Sequence, residues 1–498
     1  MRRSTHILTG ALAIATLAST AVAQQERVAH PRDLAFPGLE FEPPNGDEYR
    51  HELANGAVAY VVEDHDLPLV NIGLTIRAGS YTSAGQATPG VSGLTGSQIR
   101  SGGTASLAPS DFDEELDFLA ASMGSGFGGT SGSASFNCLT KDVDRCTELF
   151  FEMLREPRFD EERLNLAKDQ TRQGMERRND STGQIEGREW NRLMYGTDHF
   201  STRSLSADEL DSVGPDDLRE FHAAAMHPGN FIFAVSGDVD TDTVVAALNA
   251  RLAEWPAGAA AESVPAPEHT PQPGLYLVHK EDVNQGRVSL GHLGAQLDNP
   301  DRFALQIMND ILGGGGFTSR IMSRVRSDEG LAYSAGSGFG FGVHYDGTFR
   351  AFFQSRSEAV ARAIAIVVEE IERIRTEPVS DEELATSKAS FIESFTLNFA
   401  SAGQRAGLFA SFELQGRDFD YLRTYRDKVA AVTAEDVMRV AQEYLHPDRL
   451  VILAVGNVDD MLAGDPDHAD IQLAALAPEG RVERIPLPDP LTMEYPEQ

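Results

Sequence analysis

The feature that most constrains this chain is that it repeats itself. Residues 213–240, VGPDDLREFHAAAMHPGNFIFAVSGDVD, align without a gap on residues 432–459, VTAEDVMRVAQEYLHPDRLVILAVGNVD. His227-Pro228 falls on His446-Pro447, Gly237 on Gly456 and Asp240 on Asp459, a displacement of 219. EPRFDEE at 156–162 matches EPVSDEE at 377–383 at a displacement of 221. Two separate matches at nearly one displacement mean a duplicated unit of about 220 residues, far longer than a solenoid repeat. The chain must fold as two copies of one domain.

The coarse order is the same in both copies. In the first, a strand region (ELANGAVAYVVEDH, then LPLVNIGLTIRAGS) is followed by a helix, strands and several helices, and the copies close on FIFAVSGDVD and LVILAVGNVD. Helix starts are well marked. Pro215 follows Gly214 at a first-turn position, Ser380-x-x-Glu383 is a capping box and Thr433-x-x-Asp436 resembles one. Strands and helices segregate rather than alternate, which predicts an α+β fold with a largely antiparallel sheet in each copy. The Pro- and Ala-rich stretch 256–274 reads as an extended linker. It divides a first domain at 47–255 from a second at 275–462. The tail 463–498 is broken by prolines and should pack as coil on the body.

The chain opens MRRSTHILTGALAIATLASTAVAQQ. Arg2 and Arg3 make a positive start, Ile7 to Leu17 a short apolar core and Ala21-Val22-Ala23 a small-residue cleavage site. Residues 1–23 are therefore expected to be a signal peptide and 24–46 an N-terminal extension, with the mature chain exported, periplasmic in a Gram-negative source. No later run is long enough to span a bilayer. The formal charge is −34, or −36 without the leader (40 basic against 76 acidic residues). That argues against nucleic acid, whose phosphates need a basic footprint. Cys138 and Cys146 are the only cysteines. Export permits a disulfide between them, but two buried thiols are the preferred reading, since sequence does not show that their Cα atoms come close enough to bridge.

In GVSGLTGSQIRSGGT, 90–104, Val91, Leu94, Thr95, Gln98 and Ile99 recur at helical spacing and mark one mostly apolar face. The opposite face carries Gly93, Gly96, Ser97 and Arg100. Each glycine there costs a helix about 1 kcal/mol against alanine. Tight packing against a neighbouring element is the plainer explanation, and close passage of a peptide backbone is the other.

The duplicated unit, ELANGAVAYVVEDH, RAGS at 77–80 and the pattern G-V-x-x-L-x-x-x-x-x-x-x-x-G-T starting at Gly90 together resemble the pitrilysin/insulinase family of inverzincin metallopeptidases, over roughly residues 47–460. The resemblance implies a metallopeptidase-type α-β roll in each half. In that family this helix carries H-x-x-E-H, two histidines on one face gripping zinc and a glutamate serving as general base. Set on this chain, the motif puts Gly93 at the first histidine, Gly96 at the glutamate and Ser97 at the second histidine. The downstream acidic ligand would fall near Asp169 or Glu176. One carboxylate makes no zinc site, since zinc takes three protein ligands and a water. No cofactor is expected on this chain.

The second copy contains LGGGGFTSRIMSRVRSDEGLAYS, 312–334. Gly313 to Gly316 make no phosphate loop, because no Gly-Lys-Ser/Thr follows. The resemblance gives instead an Arg and a Tyr seven residues apart, which in active members reach from the second unit towards the zinc site, bind substrate and help hold the oxyanion. Those positions are Arg326 and Tyr333. A guanidinium offers a rigid fork of donors to a carbonyl or carboxylate, and a phenol one hydrogen bond to developing charge. Alternatively, Arg326 pairs with Asp328 or Glu329 on the surface and Tyr333 sits in a strand core. The small-residue segment 123–138 is a second candidate contact, an edge to which a peptide could add as a strand, or else a plain Gly-rich hairpin.

Loss of the zinc residues beside retention of the Arg/Tyr pair implies a non-catalytic, substrate-binding subunit of a two-chain periplasmic zinc peptidase. Zinc would then sit in a homologous partner chain, making a heterodimer. Self-association is the other assembly considered. The alternative function is a catalytically inactive peptide-binding or scaffold protein of the same fold.

Overall fold

The computed structural model describes residues 40–259 and 261–496; the expected leader lies outside them. The unit Glu42–Gln498 holds two six-stranded sheets. The first uses β1 (Arg50–Glu52), β2 (Val58–Glu63), β3 (Leu69–Ile76), β4 (Ser122–Phe127), β5 (Gly132–Leu139) and β6 (Phe231–Gly237). Its strand order is β1-β2-β6-β3-β5-β4. In the second half come β7 (Gly274–His279), β8 (Gln285–Leu293), β9 (Ala295–Gln296), β10 (Ala332–Phe339), β11 (Phe341–Gly342), β12 (Thr348–Arg356), β13 (Val451–Gly456) and β14 (Val482–Arg484). The second sheet reads β14-β7-β13-β8-β12-β10, while β9 and β11 form a short parallel ribbon.

The two orders superpose strand for strand, which is the duplication seen in three dimensions. One edge differs. β1 precedes its sheet in the chain and runs antiparallel to β2, whereas β14 comes from the far end and runs parallel to β7. The Pro-broken tail thus contributes a strand where coil was expected. Within the sheets β2–β6 and β7–β13 are also parallel, and the remaining pairings are antiparallel.

Burial explains the strand sequences. β3 and β5 have one face on a core and alternate, burying Val70, Ile72, Leu74 and Ile76, then Ala134, Phe136 and Cys138. VAYVV in β2, FIF in β6 and VILAV in β13 are buried throughout, so their strands must be covered on both faces. Helices exchanged between the halves do this. Thr182–Tyr195, from the first half, lays Ile185, Trp190 and Met194 on Tyr276, Val278, Val451, Leu453 and Val455 of the second sheet. Ala402–Gln415, from the second half, packs on β2 and β6, with Phe409 5.9 Å from Tyr60 between ring centroids.

Each exchanged helix also brings a carboxylate to the other half's sheet. Glu186 is 1% exposed and accepts from Arg287 Nε and Ser289 Oγ, with Arg350 Nη2 2.8 Å away. Glu413 accepts from Tyr60 Oη at 2.7 Å and Arg50 Nε at 2.9 Å, and the arginine holds its carboxyl below the usual range. A carboxylate so placed is sustained only by such a full set of donors.

The tail returns across the first half. Asn179 Nδ2 donates to the Pro488 carbonyl, Ala207 N to the Leu491 carbonyl, and Tyr495 Oη to Glu189. Cys138 on β5 and Cys146 on the helix Val143–Arg155 are free, fully buried thiols. Burial raises both pKa values, so neither is a ready thiolate.

Candidate functional site

The glycine-bearing segment forms the helix Val91–Ser101, entered through Gly90 in a left-handed conformation and with Val91, Leu94, Thr95, Gln98 and Ile99 buried. It lies against the outer strand β4. Ser125 Oγ donates to the Gly96 carbonyl at 2.6 Å, and Arg100 Nε donates to the Met123 carbonyl at 3.2 Å. The second contact occupies a backbone acceptor of β4, the segment read either as an edge for an added peptide or as a plain Gly-rich hairpin.

The two glycines have different reasons to be there. A Cβ at Gly96 would lie 2.4 Å from Phe127 N and 2.7 Å from Gly126 C, so the backbone of β4 forbids a side chain. At Gly93 a Cβ would meet nothing within 4 Å. Gly93 borders an open cavity of about 270 Å³ lined also by Phe127, Phe200, Arg203 and Leu205. Tight packing therefore accounts for Gly96 and not for Gly93. The second half uses the same device: a Cβ at Gly313, in the helical segment between β9 and β10, would lie 2.4 Å from Ser337 N.

These residues do not fit zinc. Gly93 and Gly96 carry no donor atom, and the one hydroxyl, Ser97 Oγ, donates to the Leu94 carbonyl at 2.9 Å. A longer side chain at 96 would run into β4. Asp169 and Glu176 are exposed on the helix Glu161–Glu176. Among the described residues no group of three or more His, Cys, Asp or Glu side chains is gathered as a metal site.

The second-half pair is well defined. Arg326 sits in the helical turn Ser323–Asp328, and Tyr333 is the second residue of β10, the outer strand of its sheet. The guanidinium carbon of Arg326 lies 4.5 Å from the centroid of the Tyr333 ring. Tyr333 is 83% exposed, so it is not a core residue. Arg326 does not pair with Asp328 or Glu329 either: Glu329 accepts from Arg362 at 3.1 Å. Its neighbours are anchored, Arg320 to Glu383 through two bonds of 2.6 and 3.0 Å, and Arg324 to Glu370 at 2.7 Å. Among the described residues Arg326 has no carboxylate partner and Tyr333 Oη no hydrogen-bond partner. Stacking covers a face of the guanidinium and leaves its in-plane N–H donors free, the state an arginine needs to grip a carbonyl or carboxylate.

A third side chain completes this group. Phe317 is 70% exposed, and its ring centroid lies 4.7 Å from the guanidinium carbon of Arg326. The sequence reading passed over it; its signal is an aromatic placed directly after four glycines. Gly316, at φ +62°, takes the left-handed turn that presents it.

A family model described as "Peptidase M16 inactive domain" matches residues 212–391. The chain is 22% identical to the "Uncharacterized zinc protease YmxG" of Bacillus subtilis, over 81% of this chain and 97% of that one. It is also 22% identical to the "Non-peptidase homolog YmxG" of Helicobacter pylori, over 82% of this chain and 94% of that one. The crystal structure of a peptidase M16 inactive domain from Pseudomonas fluorescens matches with a TM-score of 0.74 and 27% identity, covering 82% of this chain and 97% of that one. With its paired α+β sheets, and with no imidazole or carboxylate at the positions of H-x-x-E-H, the chain is similar to peptidase M16 inactive-domain proteins and resembles a pitrilysin/insulinase-type peptidase that lacks the zinc-binding motif.

Proposed function

We propose that this chain is the non-catalytic, substrate-binding subunit of a two-chain periplasmic zinc peptidase. Arg326 and Tyr333 contact the substrate, and a homologous partner chain with an intact H-x-x-E-H supplies zinc and general base. The observation that carries the reading is the state of the pair. An arginine left without a carboxylate, in a chain with 76 acidic residues, stacks on an exposed tyrosine whose hydroxyl is also free. A purely structural arginine here would be expected to be paired, as Arg320 and Arg324 are. Among the described residues no helix is long and apolar enough to cross a membrane, in keeping with an exported partner-seeking chain.

Mixing is the test. Each purified chain alone should cleave a fluorogenic peptide poorly, the mixture well and in a chelator-sensitive way, and Arg326→Ala should abolish the gain. Equal activity with and without this chain rejects the proposal and favours a scaffold. Autonomous, chelator-sensitive cleavage by this chain alone rejects both.

A further inference from the structure

The tetraglycine run and the phenylalanine after it have no part in the reading above, yet the structure spends unusual geometry on them. Gly313 presses on β10 so closely that no Cβ fits, and Gly316 turns left-handed. The result is an aromatic ring standing in solvent beside the one arginine of its segment that lacks a carboxylate. Single exposed apolar side chains are ordinary. Two exposed rings on one unpaired guanidinium are not, because together they make a surface with an apolar platform and a set of directed donors side by side.

We infer that Phe317 is a specificity-determining residue, which receives a large apolar side chain of a peptide whose neighbouring carbonyl or carboxylate is held by Arg326. The inference rests on the reading of Arg326 and Tyr333 as substrate contacts and adds the class of peptide. The three groups divide the work. Arg326 holds the polar backbone atom, Tyr333 donates from the strand edge, and Phe317 removes an apolar side chain from water. Its ring also restrains the guanidinium, so a peptide meets a donor fork already near its bound orientation.

The experiment uses the whole mature chain and two fluorescein-labelled Gly/Ser decapeptides, identical except for a central Phe in one and Ala in the other, with binding read by fluorescence anisotropy. The wild type should bind the Phe peptide at least about fivefold more tightly, from the apolar surface covered. Phe317→Ala should bring the ratio near one, and Phe317→Tyr should keep it. Arg326→Gln should weaken both peptides while leaving the ratio in place. Because Phe317 is mostly in solvent, its removal should leave the circular dichroism melt unchanged. If Phe317→Ala keeps the wild-type ratio while Arg326→Gln weakens both peptides, the inference falls and the substrate-contact reading stands. If Arg326→Gln changes neither peptide, or if neither peptide binds the wild type, both fall.

Discussion

Arg326 and Tyr333, seven residues apart in the chain, are held with the guanidinium carbon 4.5 Å from the ring centroid, the tyrosine open to solvent on the outer strand of the second sheet and the arginine half-buried beside it. The arrangement separates two roles that a single truncation would confuse. The ring supports the arginine; the hydroxyl is a donor in its own right.

Tyr333→Phe keeps the stack and removes only that donor. In the reconstituted two-chain peptidase it should lower kcat by about 10²-fold with KM little changed, the signature of a bond made mainly in the transition state. Arg326→Lys should raise KM, because an ammonium cannot reproduce the planar fork. Steady-state kinetics on both variants checks the division.

The two glycines of the helix Val91–Ser101 should respond oppositely to alanine. At Gly96 the methyl group meets the backbone of β4 at 2.4 Å, a clash that side-chain rotation cannot relieve. Gly96→Ala should cost about 1–3 kcal/mol. Gly93 faces open space, so Gly93→Ala should be neutral or stabilise by up to about 1 kcal/mol through helix propensity. Urea midpoints of the two variants decide it. For the same reason, rebuilding the motif with Gly93→His, Gly96→Glu and Ser97→His together should give a destabilised chain with no tightly held zinc.

His292 should make the fold acid-sensitive. It is buried against His446; its Nδ1–H donates to the Leu293 carbonyl at 2.7 Å and its Nε2 accepts from His446 N at 3.2 Å, so it is held neutral. Burial pushes its pKa down to about 4 from an ordinary 6.5. A histidine with a depressed folded pKa contributes stability that is fully present above 6.5 and is lost as pH falls through 6.5 towards 4. The loss is on the order of 3 kcal/mol. Unfolding midpoints between pH 7 and pH 4 should fall, and His292→Gln should flatten that dependence.

Glu186 carries the contact between the exchanged helix and the second sheet. Removing it leaves Arg287 and Arg350 facing each other without their shared carboxylate. Glu186→Ala should destabilise by about 3–5 kcal/mol, and Glu186→Gln by less. Chemical denaturation measures both. An unchanged midpoint would mean that the two arginines find water in its place.

Much of this was legible in one dimension. The repeat between His227-Pro228 and His446-Pro447 implied two like domains before any contact was known, and strand alternation and capping boxes placed the elements within them. The lack of any imidazole or carboxylate at Gly93, Gly96 and Ser97 is likewise a property of residue type alone. The edge of β4 was less legible. Its small residues suggested an open strand, but whether Met123 keeps a free carbonyl depends on where Arg100 reaches, 23 positions away.

The sequence by itself determined that there are two copies of an α+β unit, because repeats and periodicity are written in residue order, while its resemblance to the peptidase family implied a lost zinc motif at Gly93, Gly96 and Ser97 and an Arg/Tyr pair at Arg326 and Tyr333. Only the tertiary structure decided that Gly96 is forbidden a side chain while Gly93 is not, that each half lends a helix to the other's sheet, and that Phe317 joins Arg326. Those are close approaches between segments remote in the chain or turned by a single glycine. Steric fit of that kind is set by the assembled backbone, and no local pattern encodes it.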